Sequence, residues 1–386
     1  MKTVKRGLVM AAAILAGLLL PTPAKTQSAA QDTAAASTLS KRLVGDYGYW
    51  SKYQDPPYGA AQIPYKKLTH INHAGVSLNG DGTLSVPDGF LEPALLRRAH
   101  KAGVKVMLLL GGNFPALEAP GAMDVAMSNL WIFISEKGYD GVDIDWEYPE
   151  SAKDRKGFFD LMSALRATLP SPNYTLSADV APWGGWGYDL KNVEPLVDYF
   201  NIMMYDCAGP WTDDAQLNSQ IFWDKNDPQP WECEPGGSAQ QAIRIFESAG
   251  VPPAKLNMGT PFYGYFYTNV NQLWGVCPNS VYTSDGNCDN TVLSENYGTF
   301  IKQRINQKGW ETFYDPIALV PYMLRVDGRP GFITYDDAFS TYYRTWYSDW
   351  QRGLGGTFMW SLDADYDGYS QDLLDAEYSG SLTPTE

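Results

Sequence analysis

The sequence predicts an α/β fold, a (β/α)8 (TIM) barrel with a small α+β insertion. Eight apolar, β-rich runs recur along the chain, and amphipathic helical segments lie between them. Near-continuous apolar runs are typical of parallel strands buried on both faces, and such barrels gather functional side chains at the C-terminal ends of the strands. The predicted strands are 43–49, 68–76, 104–110, 141–147, 174–180, 199–205, 255–261 and 356–360.

The connection between the seventh and eighth predicted strands is far longer than an ordinary loop. We predict that residues 266–331 form the insertion, with a helix over 295–309, and that 41–265 and 332–380 form the barrel. The remaining helices are predicted from apolar residues at helical spacing. They cover 91–102, 122–137, 155–168, 237–249 and 337–351.

Residues 1–24 have the pattern of a secretory signal peptide, in which basic residues precede an apolar run over 7–20 and small residues follow. We expect cleavage near Ala24 or Ala30 and therefore a secreted, extracellular protein. A membrane anchor is the alternative, but the run is shorter than the ~20 residues that a span requires. Residues 25–40 are predicted to be a disordered lead-in.

Composition narrows the range of partners. The net charge of −15 argues against binding to nucleic acids or anionic membranes, and we expect neither. The 13 tryptophans and 25 tyrosines exceed what a barrel core of branched aliphatic residues uses. Sugar rings stack on aromatic faces, so we expect many of these rings to line a groove. The mature protein is predicted to be a monomer.

Four cysteines in an exported chain predict two disulfide bonds. Of the three possible pairings, Cys207–Cys233 and Cys277–Cys288 close the shortest loops and keep each bond within one connection. Metal binding is the alternative, but the spacing lacks the close cysteine pairs typical of zinc sites. We therefore expect no metal and no cofactor.

The fourth predicted strand carries three acids, Asp143, Asp145 and Glu147, at two-residue spacing with apolar residues between them. Alternate side chains of a strand point to opposite faces, so the three carboxyl groups share one face. Burial and mutual repulsion disfavour ionisation of such carboxyl groups. The pattern therefore predicts a general acid that is kept protonated near neutral pH.

Two other interpretations of the acidic segment are an exposed edge strand and a site for a hard cation. An exposed edge fits poorly, because an apolar run over 130–134 leads into the segment and its opposite face is apolar. A calcium site would use a loop bent by glycine rather than a straight strand. Catalysis is the interpretation that the pattern favours.

Residues 140–147 resemble the DxxDxDxE signature of glycoside hydrolase family 18, the chitinase family. The resemblance implies that Glu147 is the general acid, that Asp145 orients the substrate's own N-acetyl group as nucleophile, and that Asp143 tunes Asp145. Asp140 occupies the first position of the signature. Its side chain has the opposite strand parity, so we expect a structural role where the strand begins.

Further motifs extend the resemblance over nearly the whole mature chain. The run KVMLLLGG resembles the third-strand motif SxGG, with Gly111 and Gly112 as its glycines and Leu109 in place of serine. A supporting hydrogen bond near the acidic strand is therefore expected to be missing. On the second strand, Gly75 follows Ala74 where the family commonly has phenylalanine, which removes one aromatic wall.

The last three strands supply the remaining motif residues. Met203, Tyr205 and Asp206 match the sixth-strand motif MxYD, which implies that Tyr205 hydrogen-bonds the N-acetyl carbonyl, beside Asp206 and above Met203 in the pocket floor. MGTPFYG on the seventh strand nominates Tyr263, and GGTFMWSL on the eighth places Trp360 under the sugar that is cleaved. Candidate platforms for further sugars are Trp183, Trp186 and Trp211.

The resemblance implies a secreted chitinase that hydrolyses β-1,4 linkages between N-acetylglucosamine units of chitin or chito-oligosaccharides. The expected mechanism retains configuration and is assisted by the substrate. One alternative is an endo-β-N-acetylglucosaminidase that acts on glycoprotein glycans, although such enzymes often lack the insertion. The other is a non-catalytic chitin-binding lectin, although such proteins usually lose the acid found here at Glu147.

Overall fold

A computed structural model describes residues 39–225, 237–277, 288 and 291–384. These residues form two β-sheets with helices around them. The larger sheet contains β1 (Arg42–Gly48), β2 (His70–Leu78), β3 (Leu84–Ser85), β4 (Lys105–Gly112), β5 (Gly141–Asp145), β6 (Thr175–Val180), β7 (Tyr199–Ile202), β8 (Leu256–Pro261) and β14 (Gly356–Trp360). Its strands pair in parallel except β3, and it closes because β1 pairs with both β2 and β14. The predicted eight-stranded parallel barrel is confirmed.

The α-helices follow the predicted pattern. They are α1 (Pro93–Ala102), α2 (Ala122–Lys137), α3 (Ala152–Thr168), α4 (Leu190–Val193), α5 (Ala239–Ser248), α6 (Ala338–Trp346) and α7 (Asp372–Ser381). Helix α3 begins three residues before the predicted start, because Ser151 and Asp154 cap its first turn reciprocally. Within the described ranges, none of the helices combines the length and apolarity that crossing a bilayer requires.

A second, antiparallel sheet lies between β8 and β14 in the sequence, with strand order β10-β9-β13-β12-β11. Its strands are β9 (Tyr263–Tyr267), β10 (Val292–Asn296), β11 (Trp310–Tyr314), β12 (Pro321–Arg325) and β13 (Phe332–Thr334). The helix predicted over 295–309 is wrong at both ends. Glu295 and Asn296 pair with β9 instead, and only Tyr297–Ile301 and Lys302–Arg304 form helical turns.

One predicted disulfide bond is present, between Cys277 and Cys288, whose Cα atoms are 5.3 Å apart. The other prediction pairs Cys207 with Cys233, and Cys233 lies outside the described residues. The bond that is seen ties the two ends of a connection between β9 and β10.

Two barrel strands end earlier than predicted. The ladder between β5 and β6 stops at the pair Asp145–Asp179, and the ladder between β6 and β7 stops at Val180–Ile202. Glu147 and Tyr205 thus lie just beyond their strands, at the C-terminal end of the barrel. The alternation of side chains continues past the last ladder hydrogen bond, so sequence period alone overestimates the length of each strand.

The acidic strand β5 has one apolar and one polar face, as predicted. Val142 and Ile144 are fully buried in the core that includes residues of the surrounding helices. Burying an aliphatic side chain of this size stabilises the fold by about 1.5–3 kcal/mol. Asp143 instead accepts hydrogen bonds from side chains of β2 and β7, inside the barrel. The apolar face thus fixes which way the carboxyl groups point.

Asp140 lies at the start of β5, at the opposite end of the barrel from Glu147. Its Oδ2 atom accepts a hydrogen bond of 2.7 Å from the Val106 amide and lies 2.8 Å from His100 Nε2. The carboxyl group therefore joins α1, β4 and β5.

We expect Asp140→Asn to lower the free energy of unfolding by about 1–2 kcal/mol, because a charge-assisted acceptor becomes a neutral one. Turnover per folded molecule should stay near that of the unsubstituted enzyme. Urea denaturation together with an activity assay measures both, and Asp88→Asn, at an exposed acid, is the control. A large fall in turnover without a change in stability would contradict the structural role.

Asp349 is a buried carboxyl group in the turn that follows α6, and neither of its oxygens has a hydrogen-bond partner among the described residues. Burial raises its pKa from 3.8 to about 8, and Lys41 and Arg42 only partly oppose the shift. The folded protein therefore binds a proton that the unfolded chain releases. The stability linked to that proton is complete below pH 3.8 and is lost as the pH rises through about 8.

We expect the thermal midpoint of the protein to fall between pH 5 and pH 8. Asp349→Asn should reduce this fall and raise the free energy of unfolding at pH 8 by about 1–3 kcal/mol, since no buried charge then forms. Calorimetry at both pH values measures the difference, with Asp88→Asn again as control. A midpoint that rises with pH, or identical slopes for Asp349→Asn and the parent, would contradict the assignment.

Candidate active site

A cavity of about 630 Å³ opens where β5, β6 and β14 end, with residues of the second sheet on one side. It brings together nearly all of the residues that the sequence nominates. The predicted residues that line it are Asp145, Glu147, Trp183, Met203, Tyr205, Asp206, Trp211, Tyr263 and Trp360. These residues come from distant parts of the chain, so only the closed barrel makes them neighbours.

The three acids of the signature form a row that runs from the barrel interior to this cavity. Asp143 is fully buried, Asp145 is half-buried and Glu147 is exposed. Glu147 is not buried like Asp143, because it lies beyond the end of β5. Burial acts on the inner carboxyl groups instead.

Amide side chains support Asp143. Its Oδ2 atom accepts hydrogen bonds from Asn72 Nδ2 at 2.8 Å and from Asn201 Nδ2 at 3.1 Å. Leu109 is its register partner on β4 and offers no hydroxyl group, as the sequence predicts. The expected loss of support does not follow, because β2 and β7 supply the donors.

Four inner carboxyl groups have raised pKa values. Burial raises the pKa of Asp143, and hydrogen bonds, first from Asp179, oppose the shift. Burial, followed by the charge of Glu147, raises the pKa of Asp145 well above its usual range. Burial and then the Asp143 carboxylate do the same for Asp46 and Asp179. No lysine, arginine or histidine is among the described residues that line the cavity.

A tyrosine wall surrounds Asp206. Tyr263 and Tyr265 both donate a hydrogen bond to Asp206 Oδ1, at 2.7 Å for Tyr265. The Asp206 backbone has a positive φ of 59°, and its amide donates to Asn218 Oδ1 at 2.9 Å, which fixes the turn. The rings of Tyr205 and Tyr263 meet edge to face with centroids 6.1 Å apart. Asp206 is therefore held by neutral phenols.

Aromatic rings border the cavity. Trp360 ends β14, and its ring centroid lies 6.5 Å from that of Trp50. Trp183 packs edge to face against Tyr148, with centroids 5.2 Å apart. Their apolar faces can accept the faces of sugar rings.

Two further tryptophans were predicted to be sugar platforms. Trp211 packs against Tyr265 in the cavity wall and is 40% exposed. Trp186 is 58% exposed and lies beneath the Arg155 guanidinium group, 5.0 Å from it. It is not among the described residues that line the cavity, and its role as a sugar platform stays a prediction.

Glycine is required at two of the motif positions. A Cβ atom on Gly112 would lie 2.3 Å from the Leu78 carbonyl oxygen, because β2 and β4 approach closely there. Gly111 precedes it in β4. A Cβ atom on Gly75 would lie 2.4 Å from the ring of Tyr49. The ring of Tyr49 thus occupies the space next to Gly75.

Sequence reasoning missed several residues of the site. Asp46, Asn72, Asp179 and Asn201 meet inside the barrel, and Tyr265 donates to Asp206. A signal existed, since each of the first four is a polar residue inside an apolar strand. The described residues contain no group of three or more histidine, cysteine, aspartate or glutamate side chains arranged to hold a metal ion.

Comparison with known proteins agrees with this geometry. Residues 42–365 match the family Glycosyl hydrolases family 18. Chitinase A1 of Niallia circulans is 27% identical over 93% of this chain and 62% of its own length, and Chitinase 1 of Aphanocladium album is 24% identical over 98% and 93%. The Group IV chitinase of Ostrinia furnacalis in complex with allosamidin superposes with a TM-score of 0.76, at 24% identity over 87% of this chain and 97% of that one. The chain therefore belongs to glycosyl hydrolase family 18 and is a glycoside hydrolase related to chitinases.

Proposed function

We propose that this protein is a secreted chitinase that cleaves β-1,4 linkages between N-acetylglucosamine units with retention of configuration. The observation that carries the proposal is the graded row of acids, buried at Asp143 and exposed at Glu147, in a cavity bordered by aromatic rings. The relatives compared above are chitinases by name, which supports the choice of substrate.

Glu147 protonates the leaving oxygen. It is the outermost acid of the row, lines the cavity and is exposed, so a glycosidic oxygen can reach it. Asp145 lies beside it, and its raised pKa reflects burial and then the neighbouring charge of Glu147. The charge on one carboxyl group therefore affects the protonation of the other. Glu147 delivers its proton beside an Asp145 carboxyl group whose charge is partly neutralised.

The nucleophile is the substrate's own N-acetyl oxygen. Asp145 orients the acetamide and offsets the positive charge that develops on it, Asp143 sets the charge state of Asp145, and Tyr205 donates to the acetamide carbonyl. Two other carboxyl groups line the cavity: Asp179 is buried, and Asp206 Oδ1 accepts hydrogen bonds from two phenols. A carboxylate held in this way is a weaker nucleophile than a free one.

The cavity wall favours a polymer of sugars over a lone sugar. Residues of β9 and β10, namely Tyr263, Tyr265, Ser294 and Asn296, face the acids of the barrel. Met203 lies in the floor, and Trp360 supplies the surface on which the sugar at the cleavage point stacks. The presence of Glu147 in this cavity argues against a non-catalytic lectin. The antiparallel sheet beside the cavity argues against an endo-β-N-acetylglucosaminidase, because such enzymes often lack the insertion.

Secretion as a monomer is part of the same proposal. The segment 1–24 that supports export by its sequence pattern lies outside the described residues. The disulfide bond Cys277–Cys288 is compatible with an oxidising compartment.

We expect Glu147→Gln to lower kcat on chito-oligosaccharides by about 10²–10⁴-fold while oligosaccharide binding is largely retained, because the shape of the site survives and only the proton is lost. Hydrolysis rates and calorimetric binding measure the two effects. Glu150→Gln, at an exposed glutamate three residues away, is the matched control and should keep its rate. Loss of only a few-fold in Glu147→Gln would exclude it as the general acid.

We expect activity to depend on the acetyl group of the sugar at the cleavage point. N-acetylated oligomers should be cut, while fully deacetylated chitosan and cellulose oligomers of equal length should be inert, because they lack the nucleophile. A thiazoline mimic of the cyclised intermediate should inhibit competitively. Robust cleavage of cellohexaose, or a glycosyl ester on Asp206 trapped by mass spectrometry, would overturn the mechanism.

A further inference from the structure

Asp179 is a carboxyl group of the cavity that has no role in the mechanism proposed above. It is the register partner of Asp145 on the neighbouring strand β6, so the two side chains lie next to each other. Its side chain is 3% exposed and lines the cavity. A buried acid beside the residue that orients the acetamide requires a physical explanation.

One amide ties Asp179 to Asp143. Asn201 Nδ2 lies 2.9 Å from Asp179 Oδ1 and 3.1 Å from Asp143 Oδ2, and donates to both. Asn72 Nδ2 also donates to Asp143 Oδ2, at 2.8 Å. Both amides thus reach the same oxygen of Asp143. In the part of the chain that the structure describes, no amide donor reaches Asp143 Oδ1.

The direction of these hydrogen bonds is fixed from outside the cluster. The Arg42 side chain has only donors, and its Nε lies 2.8 Å from Asn257 Oδ1. Asn257 must therefore turn its Nδ2 towards Asn201 Oδ1, which is 2.8 Å away. Asn201 in turn can only donate towards the acids. Arg42 thus orients Asn257 and, through it, Asn201, while its guanidinium group stays outside the cluster of acids.

The groups that face Asp179 are almost all acidic or neutral. Burial, and then the charges of Asp143 and Asp145 on β5 and of Asp46 on β1, raise its pKa. Adjacent carboxylates in a water-poor site cannot all ionise, so protons remain in the cluster. Asp143 accepts hydrogen bonds from two amides and Asp179 from one, so the negative charge is better solvated on Asp143 and a proton is better placed on Asp179.

We propose that Asp179 is a positioning residue for the reaction: in its protonated form it donates a hydrogen bond to the Asp143 carboxylate and keeps Asp143 and Asp145 in place for the acetamide. The role rests on the proposed chitinase function. Ionisation of Asp179 would place a second buried charge beside Asp145 and remove the donor. Activity must therefore fall at alkaline pH when Asp179 loses its proton.

The test compares the pH dependence of kcat for the full chain and for Asp179→Asn and Asp179→Ala on a soluble chito-oligosaccharide. Asparagine can accept from Asn201 and donate to Asp143 at any pH. Asp179→Asn should therefore recover most of the turnover that Asp179→Ala loses, about tenfold or more, and its alkaline limb should move up by about one pH unit or more. Asp349→Asn, at a buried acid outside the cavity, should leave the limb in place.

Equal losses in Asp179→Asn and Asp179→Ala with an unmoved alkaline limb would show that Asp179 acts only in packing, and would overturn the proposal. Parental kinetics in both variants would also overturn it.

A second measurement does not depend on catalysis. Infrared difference spectra of the parent minus Asp179→Asn should show a protonated carboxyl C=O band at neutral pH, and its absence would overturn the proposal. If the parent protein shows the band but does not hydrolyse chito-oligosaccharides, the chitinase function is refuted, whereas the protonation of Asp179 is supported.

Discussion

The site depends on how the barrel solvates one buried carboxyl group, Asp143. Two amides from β2 and β7 donate to it, and the second of these is oriented through Asn257 by Arg42. Five strands (β1, β2, β5, β7 and β8) must be in register for these bonds to form together. A buried carboxylate that lost its donors would cost several kcal/mol, roughly the scale of a protein's net stability. The strand register that closes the barrel therefore also places the donors that determine the charge state of the site.

This arrangement explains why departures from the family pattern leave the site intact. Leu109 removes a hydroxyl group next to Asp143, and amides on other strands supply the donors. Gly75 removes an aromatic side chain, and the ring of Tyr49 occupies the space above it. In each case a neighbour in space, but not in sequence, restores the contact or the donor.

The acids of the cavity also differ in their surroundings according to their depth. Inner acids are buried and share protons, whereas Glu147 at the mouth meets solvent and substrate. The second sheet contributes the facing wall from residues that follow β8, so the cleft exists only where two sheets meet. Tyr263 and Tyr265 of that wall donate hydrogen bonds to Asp206.

The sequence by itself determined the eight strands, most helices, the shared face of Asp143, Asp145 and Glu147, and the Cys277–Cys288 bond. These follow from local patterns: side-chain period, helix caps and short loop closure. Only the tertiary structure decided where strands end and that Asp46 and Asp179 join the acids. Those features depend on register between strands tens of residues apart. A single polar residue in an apolar strand is locally ambiguous, and barrel closure alone determines which residues meet it.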